Sequence, residues 1–155
     1  MKLATILNEI FDEAKYKKWK TSNVTYRGVN KEVEGSRSAI LGKGLYTAPA
    51  SNKSFAKSYG KLQFVVNAIP KKPKVFSDLN RWEIFLFNLK CEVLGINPND
   101  YSYPPDVREF DKKTTIEDEM QNKGFDGVII TGREMVNYKP TDVKMFDTED
   151  QLKTY

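Results

Sequence analysis

Between Leu62 and Ile69 the chain alternates: Leu62, Phe64, Val66 and Ala68 interleave with Gln63, Val65, Asn67 and Ile69, and Pro70 stops the run. A period of two sends successive side chains to opposite faces of a strand, and Pro has no N–H to continue a ladder. Both faces are partly apolar, so this strand belongs in the middle of a sheet with cover on each side. The rest of the fold has to supply that sheet and its cover.

The other segments read as follows. Leu3, Ile6, Leu7, Ile10 and Ala14 share one helical face with Glu9, Asp12, Glu13 and Lys17 opposite, which predicts an opening amphipathic helix. Val24-Thr25-Tyr26-Arg27 has strand character and Gly28 is expected to end it, with a loop from Asn30 to Ser38. Gly42-Lys43-Gly44 is a glycine-flexed turn before an aromatic segment, and Ser51 to Tyr59 carries a short polar helix. Pro70 to Lys74 reads as a stiff basic connector. From Asp78 to Leu94, Leu79, Trp82, Phe85, Leu86, Leu89 and Val93 recur at spacings of three and four, and Gly95 offers a helix stop. Asn97 to Pro105, with Tyr101 and Tyr103, reads as a loop. Thr114-Thr115-Ile116-Glu117 is a capping-box start for a short helix ended by Gly124. Phe125 to Ile130 is a strand, Thr131-Gly132-Arg133 a turn, Glu134 to Tyr138 a second strand, and Val143 to Phe146 a last short one before a tail that frays or turns once. Strands spaced so unevenly among helices predict an α+β fold, since a doubly wound sheet demands regular alternation.

With 39% hydrophobic residues in 155, the chain can bury one ordinary core, so residues 1–155 are expected to form a single domain. No run reaches the roughly 18 apolar residues of a membrane span, and the acidic residues near the N-terminus interrupt any signal-peptide core, which predicts a cytoplasmic protein with no membrane partner. The one cysteine, Cys91, has no partner for an internal disulfide or a metal site, and reads as an inert buried thiol. Histidine is absent. Relays built on it are thereby excluded, and acid–base work falls to carboxylates, lysines or tyrosines. A net charge of +4 favours phosphate-bearing partners, although 25 basic residues against 21 acidic ones also describe an ordinary solvated surface.

Gly42-Lys43-Gly44 is not a P-loop, because Lys43 is followed by Gly44 where Ser or Thr is required. Nor is it a dinucleotide fingerprint, because Thr47 stands at the third glycine position. Taken alone it is a tight turn. Its flanks change the reading: Gly42-Lys43-Gly44-Leu45-Tyr46-Thr47-Ala48 is followed by Ser54 and by Ala56-Lys57-Ser58-Tyr59-Gly60, preceded by Thr25-Tyr26-Arg27-Gly28, and followed distantly by Glu134-Met135-Val136-Asn137-Tyr138-Lys139-Pro140-Thr141-Asp142-Val143. These blocks, in this order, resemble the NAD-binding core of the ADP-ribosyltransferase family, the middle one being similar to the poly-ADP-ribose-polymerase branch and its Ala-x-x-Tyr-Gly ending to phage-type members.

The resemblance implies an ADP-ribosyltransferase-like split β-sheet core with flanking helices, and NAD as co-substrate. It implies that Arg27 anchors the phosphates or ribose of NAD through a permanently charged fork of donors. Gly28 would let backbone groups reach the nicotinamide amide, with Gly44 in the turn that supports the pocket. Tyr46 would stack on nicotinamide, Ser54 would bond its carboxamide, and Tyr59 would lie near the same pocket. Glu134 would be catalytic, stabilising the oxocarbenium-like charge that builds on the ribose as the nicotinamide bond breaks, with Arg27 and Tyr46 completing the catalytic set. Arg27 stands where the polymerase-like branch has histidine, and Leu45-Tyr46-Thr47-Ala48 replaces the Ser-Thr-Ser strand of the arginine-bearing toxins. Gly132 occupies the position where arginine-modifying members carry Glu or Gln, which argues against arginine as the acceptor. No motif aligns between Ser77 and Asp111.

The expectation is therefore a monomeric mono-ADP-ribosyltransferase, bacteriophage or bacterial, acting in a bacterial or infected host cell on a macromolecular acceptor, protein or nucleic acid. Two alternatives stay open: an NAD glycohydrolase with water as acceptor, and a non-catalytic domain of the same fold that binds nucleic acid or a protein partner.

Overall fold

A computed structural model of the chain describes residues 24–29, 40–100 and 107–155. The opening helix, the loop from Asn30 to Ser38, and Tyr101 and Tyr103 lie outside the described residues. Two sheets form the framework. In the first, β1 (Val24–Val29), β3 (Lys61–Val66) and β7 (Lys144–Phe146) stand in the order β1-β3-β7, all antiparallel. The alternating strand read from the sequence is thus the central one. In the second, β2 (Leu45–Thr47), β6 (Glu134–Asn137), β5 (Gly127–Ile130) and β4 (Pro73–Phe76) stand in the order β2-β6-β5-β4, with β4 and β5 parallel. Five α-helices accompany them among the described residues: α1 (Lys53–Lys57), α2 (Leu79–Leu94), α3 (Val107–Lys113), α4 (Ile116–Asn122) and α5 (Glu149–Thr154). The class is α+β, as the uneven spacing of strands predicts.

Each sheet closes its own core. Tyr46, Phe76, Trp82, Leu89, Met120 and Val136 bring the second sheet together with α2 and α4. Val24, Tyr26, Ala48, Phe64 and Val66 pack with Ala56 of α1 and Leu152 of α5 against the first. Helix α2 begins where Asp78 accepts a hydrogen bond from Arg81 N at 2.9 Å. It ends at Gly95 in the left-handed region, φ 70°, with Ile96 N bonding Cys91 O and Gly95 N bonding Glu92 O. That pair of bonds is a Schellman closure, which a residue without Cβ makes at little cost. Cys91 is buried. None of the described helices is long and apolar enough to cross a membrane.

Several boundaries differ from the sequence reading. Gly28 does not end β1; it pairs with Leu62 inside the ladder. β3 stops at Val66, before Ile69, because Asn67 takes φ 65°, where a ladder cannot continue, and ties its side chain to Asp142 O. The basic connector holds an unread strand, β4, which starts at Pro73 on the sheet edge, where a missing N–H costs least. β5 starts at Gly127, and Asp126 just before it accepts Lys71 N and Lys72 N on its two carboxylate oxygens. α3 was also unread, and the tail forms α5 behind a Thr148–Gln151 capping box.

Candidate functional site

The two sheets meet at one point. Tyr26 of β1 and Ala48, just after β2, exchange both backbone bonds, N to O at 2.9 and 2.8 Å, as an isolated antiparallel bridge. On the Gly28 and Tyr46 side of that bridge the strands part and leave a shallow cleft of about 160 Å3, its open side included. Arg27 and Gly28 line one wall, Thr47 and Ala48 the other, and Phe55 and Ala56 of α1 close the end, with Tyr26 and Tyr46 alongside.

Backbone direction follows from the bridge. Tyr26 aims its N–H and C=O toward β2. Because these groups repeat every second residue along a strand, those of Gly28 face the same way, into the gap where β2 has turned off, while those of Arg27 face β3. Gly28 is also needed for packing. A Cβ there would overlap the Ala56 carbonyl oxygen and lie 3.0 Å from Tyr59 Cβ, so α1 can seat against β1 only over glycine. Gly44 stands apart from the cleft: a Cβ on it would meet Val136 Cγ2 at 2.9 Å, so its bareness serves the contact of the turn with β6.

Glu134 opens β6 and is 2% exposed. The β2–β6 register pairs Tyr46 with Val136 and Thr47 with Met135, and one more step sets Ala48 opposite Glu134. The carboxylate-bearing residue thus comes to the bridge between the sheets. It is delivered by a turn in which Gly132 takes φ 73° and Arg133 N bonds Ile130 O. Arg133 Nε lies 3.4 Å from Glu134 Oε2, and its guanidinium rests 5.0 Å from the centre of the Phe55 ring. Asn52 Nδ2 donates to Gly132 O at 3.0 Å, tying the start of α1 to the same turn.

The remaining sequence-predicted residues fall as follows. Arg27 is half-buried and reaches along the first sheet, its Nη1 3.5 Å from Gln63 Oε1 and 4.0 Å from Met145 Sδ. Tyr46 sets its ring in the core, where its hydroxyl accepts from Leu41 N at 2.9 Å and donates to Gly42 O at 2.5 Å. Tyr138 donates to Leu41 O beside it at 2.6 Å. Its phenol pKa is pushed well above the ordinary value by burial first, then by the neighbouring Tyr46 and Glu117. Ser54 is exposed, donates to Asn52 Oδ1 at 3.2 Å, and does not line the cleft. Tyr59 reaches the cleft through Phe55, whose ring it meets edge-on at 5.6 Å.

The structure therefore gathers Arg27, Gly28 and Tyr46 at the cleft, with Tyr59 and Glu134 at its margin, and leaves Gly44 and Ser54 outside. Thr47, Phe55 and Arg133 were missed by sequence reasoning. Thr47 and Phe55 each adjoin a residue that was singled out, and only the register and helix rotation decide which neighbour faces the gap. Among the described residues no group of three or more acidic or cysteine side chains is placed to hold a metal ion. Comparison with protein-family models, with curated proteins and with solved structures returned no match.

Proposed function

We propose that the protein is an NAD-dependent mono-ADP-ribosyltransferase with an ADP-ribosyltransferase-like split sheet. The observation that carries the reading is the convergence of segments far apart in sequence, Tyr26 to Gly28, Tyr46 to Ala48, Phe55 to Tyr59, and Glu134, on one fork between two sheets. The cleft's 160 Å3 includes open solvent and leaves no enclosed room even for a water molecule, so in this reading a flat ring enters only as Phe55 and the parted strands move aside.

In this reading the nicotinamide ring enters the fork and Phe55 with Tyr59 close over it, while the Tyr46 ring, held in the second core, fixes the strand that forms one wall. Gly28 offers a backbone donor and acceptor to the carboxamide. Arg27 turns from Gln63 toward the phosphates. When the ribose–nicotinamide bond breaks, its electron pair neutralises the pyridinium, and the acceptor's lone pair forms the new bond at the same carbon. Glu134 stabilises the positive charge on the ribose between these events and takes the acceptor's proton. Arg133, whose Nε lies 3.4 Å from Glu134 Oε2, holds that carboxylate in place until the substrate arrives.

One observation favours a second reading, a non-catalytic domain of the same fold: the Glu134 side chain is 3% exposed and already ion-paired. A single experiment separates these readings. The purified protein is incubated with NAD labelled in the adenylate and a bacterial lysate, and the products are divided between protease and nuclease. Label removed by one treatment names the acceptor, and free ADP-ribose without labelled macromolecule makes water the acceptor. No label and no nicotinamide release overturns the catalytic reading.

A further inference from the structure

We propose that Asn52 is a positioning residue: its side-chain amide, oriented by Ser54, couples the helix that carries Phe55 and Tyr59 to the turn that delivers Glu134. The inference rests on the NAD reading above and adds to it a residue that acts through others. Asn52 occupies the N-cap position of α1 and makes no capping hydrogen bond with its side chain. Asn is among the residues best suited to cap a helix, and a helix of five residues has little else to hold its first turn. The amide is used elsewhere. Its Nδ2 donates at 3.0 Å to Gly132 O, eighty residues away in sequence, and its Oδ1 accepts from Ser54 Oγ at 3.2 Å.

Both partners demand the same orientation of that amide. A carbonyl oxygen only accepts, so Gly132 O needs the NH2, and the Ser54 hydroxyl, donating to Oδ1, holds the oxygen on the other side. Gly132 reaches this position through its left-handed backbone, φ 73°, and not through close packing, since a Cβ there would meet nothing within 4 Å. A second strut runs in parallel: Arg133, next in the turn, rests its guanidinium 5.0 Å from the centre of the Phe55 ring of α1. The two ends of this link carry the two halves of the proposed chemistry. Phe55 and Tyr59 of α1 clamp the nicotinamide ring, and Glu134, two residues beyond Gly132, acts on the ribose. The bond that breaks joins that ring to that ribose. The tie between α1 and the turn therefore sets its alignment on the carboxylate, and small errors of alignment cost rate.

The test measures nicotinamide release from NAD, as kcat and KM, together with thermal unfolding, in wild type, Asn52→Ala, Asn52→Asp, Ser54→Ala, Ser54→Thr and the double variant Asn52→Ala/Ser54→Ala. Asn52→Ala should lower kcat about five- to tenfold with KM within about twofold of wild type, the split expected when alignment is lost and binding is kept. Asn52→Asp should fall at least as far, because a carboxylate has no proton to donate to Gly132 O. Ser54→Ala should lower kcat by a smaller factor and Ser54→Thr, which keeps the hydroxyl, should restore it. The double variant should be no slower than Asn52→Ala, since Ser54 acts only through Asn52. Wild-type kcat in Asn52→Ala, or a Ser54→Ala loss that multiplies the Asn52→Ala loss in full, overturns the proposal and leaves the NAD reading standing. A rise in KM together with a fall in melting temperature at unchanged kcat marks a merely structural tie and also overturns it. A wild-type protein that releases no nicotinamide removes the reading itself, and the proposal with it.

Discussion

Replacing Gly28 by alanine is expected to destabilise the protein, although nothing about the local backbone demands glycine. The backbone φ of Gly28 is not in the left-handed region, and in such a setting Gly→Ala ordinarily stabilises by about 0.4–1 kcal/mol by restricting the unfolded chain. Here the new methyl group would overlap the Ala56 carbonyl oxygen and approach the Ala56 carbonyl carbon and Tyr59 Cβ to 3.0 Å each. Carbon atoms rest about 3.5–4.0 Å apart and the overlap with the carbonyl oxygen is more severe still, so α1 has to back away from β1 by on the order of an ångström or more. The first obstacle is backbone, and no rotamer change relieves it. Overpacking of this kind costs about 1–3 kcal/mol. Taking about 2 kcal/mol, and roughly 2–4 °C per kcal/mol for a domain of this size, the melting temperature should fall by about 4–8 °C. Urea unfolding followed by circular dichroism should show a lower midpoint at an unchanged slope, since the same surface is exposed. A midpoint equal to or above wild type would refute the seating of α1 on β1, and with it the geometry of the cleft.

Two further predictions concern the frame around the site. Tyr138 is held protonated in the folded state, its pKa raised above the unfolded value near 10, so its contribution is fully present below pH 10 and is lost as pH rises beyond it. Wild type should lose up to about 1.4 kcal/mol per pH unit in that range relative to Tyr138→Phe, whose alkaline limb should be flatter in urea titrations at pH 9 to 11; parallel limbs would contradict the assignment. Asp126→Ala removes the acceptor for Lys71 N and Lys72 N, at 2.9 and 2.8 Å, and should cost about 1–3 kcal/mol. Hydrogen exchange should then show β4 amides losing protection before those of β5 and β6, and unchanged protection in β4 would count against this anchoring.

Where local rules decide a feature, it was legible in the sequence. Apolar spacing and the Asp78 and Gly95 ends define α2, Gly132 marks the turn before Glu134, and alternation marks β3 as central. Features settled by partners were not. β4 carries Pro73 and Lys74 and looks like a connector until β5 pairs with it and Asp126 pins its approach. The same holds at the site. Register brings Glu134 to the bridge and Thr47 to one wall of the cleft, while the five-residue helix α1 presents Phe55 inward and leaves Ser54 outside. A motif singles out a short stretch of chain, but rotation about the element's axis chooses the side chain that faces a ligand. Arg133 escaped notice because its role depends on a ring, that of Phe55, far away in sequence.

The central claim is tested most directly by following nicotinamide release from NAD by wild type and by Glu134→Gln, with NAD affinity measured on both. Glutamine keeps the volume of a buried side chain and removes its charge. Wild type should release nicotinamide, and Glu134→Gln should lose about 10²- to 10³-fold in turnover while binding NAD within about threefold of wild type, the pattern of a group that acts on the transition state. Equal turnover in the two proteins, or no release by wild type at any NAD concentration, would contradict the account.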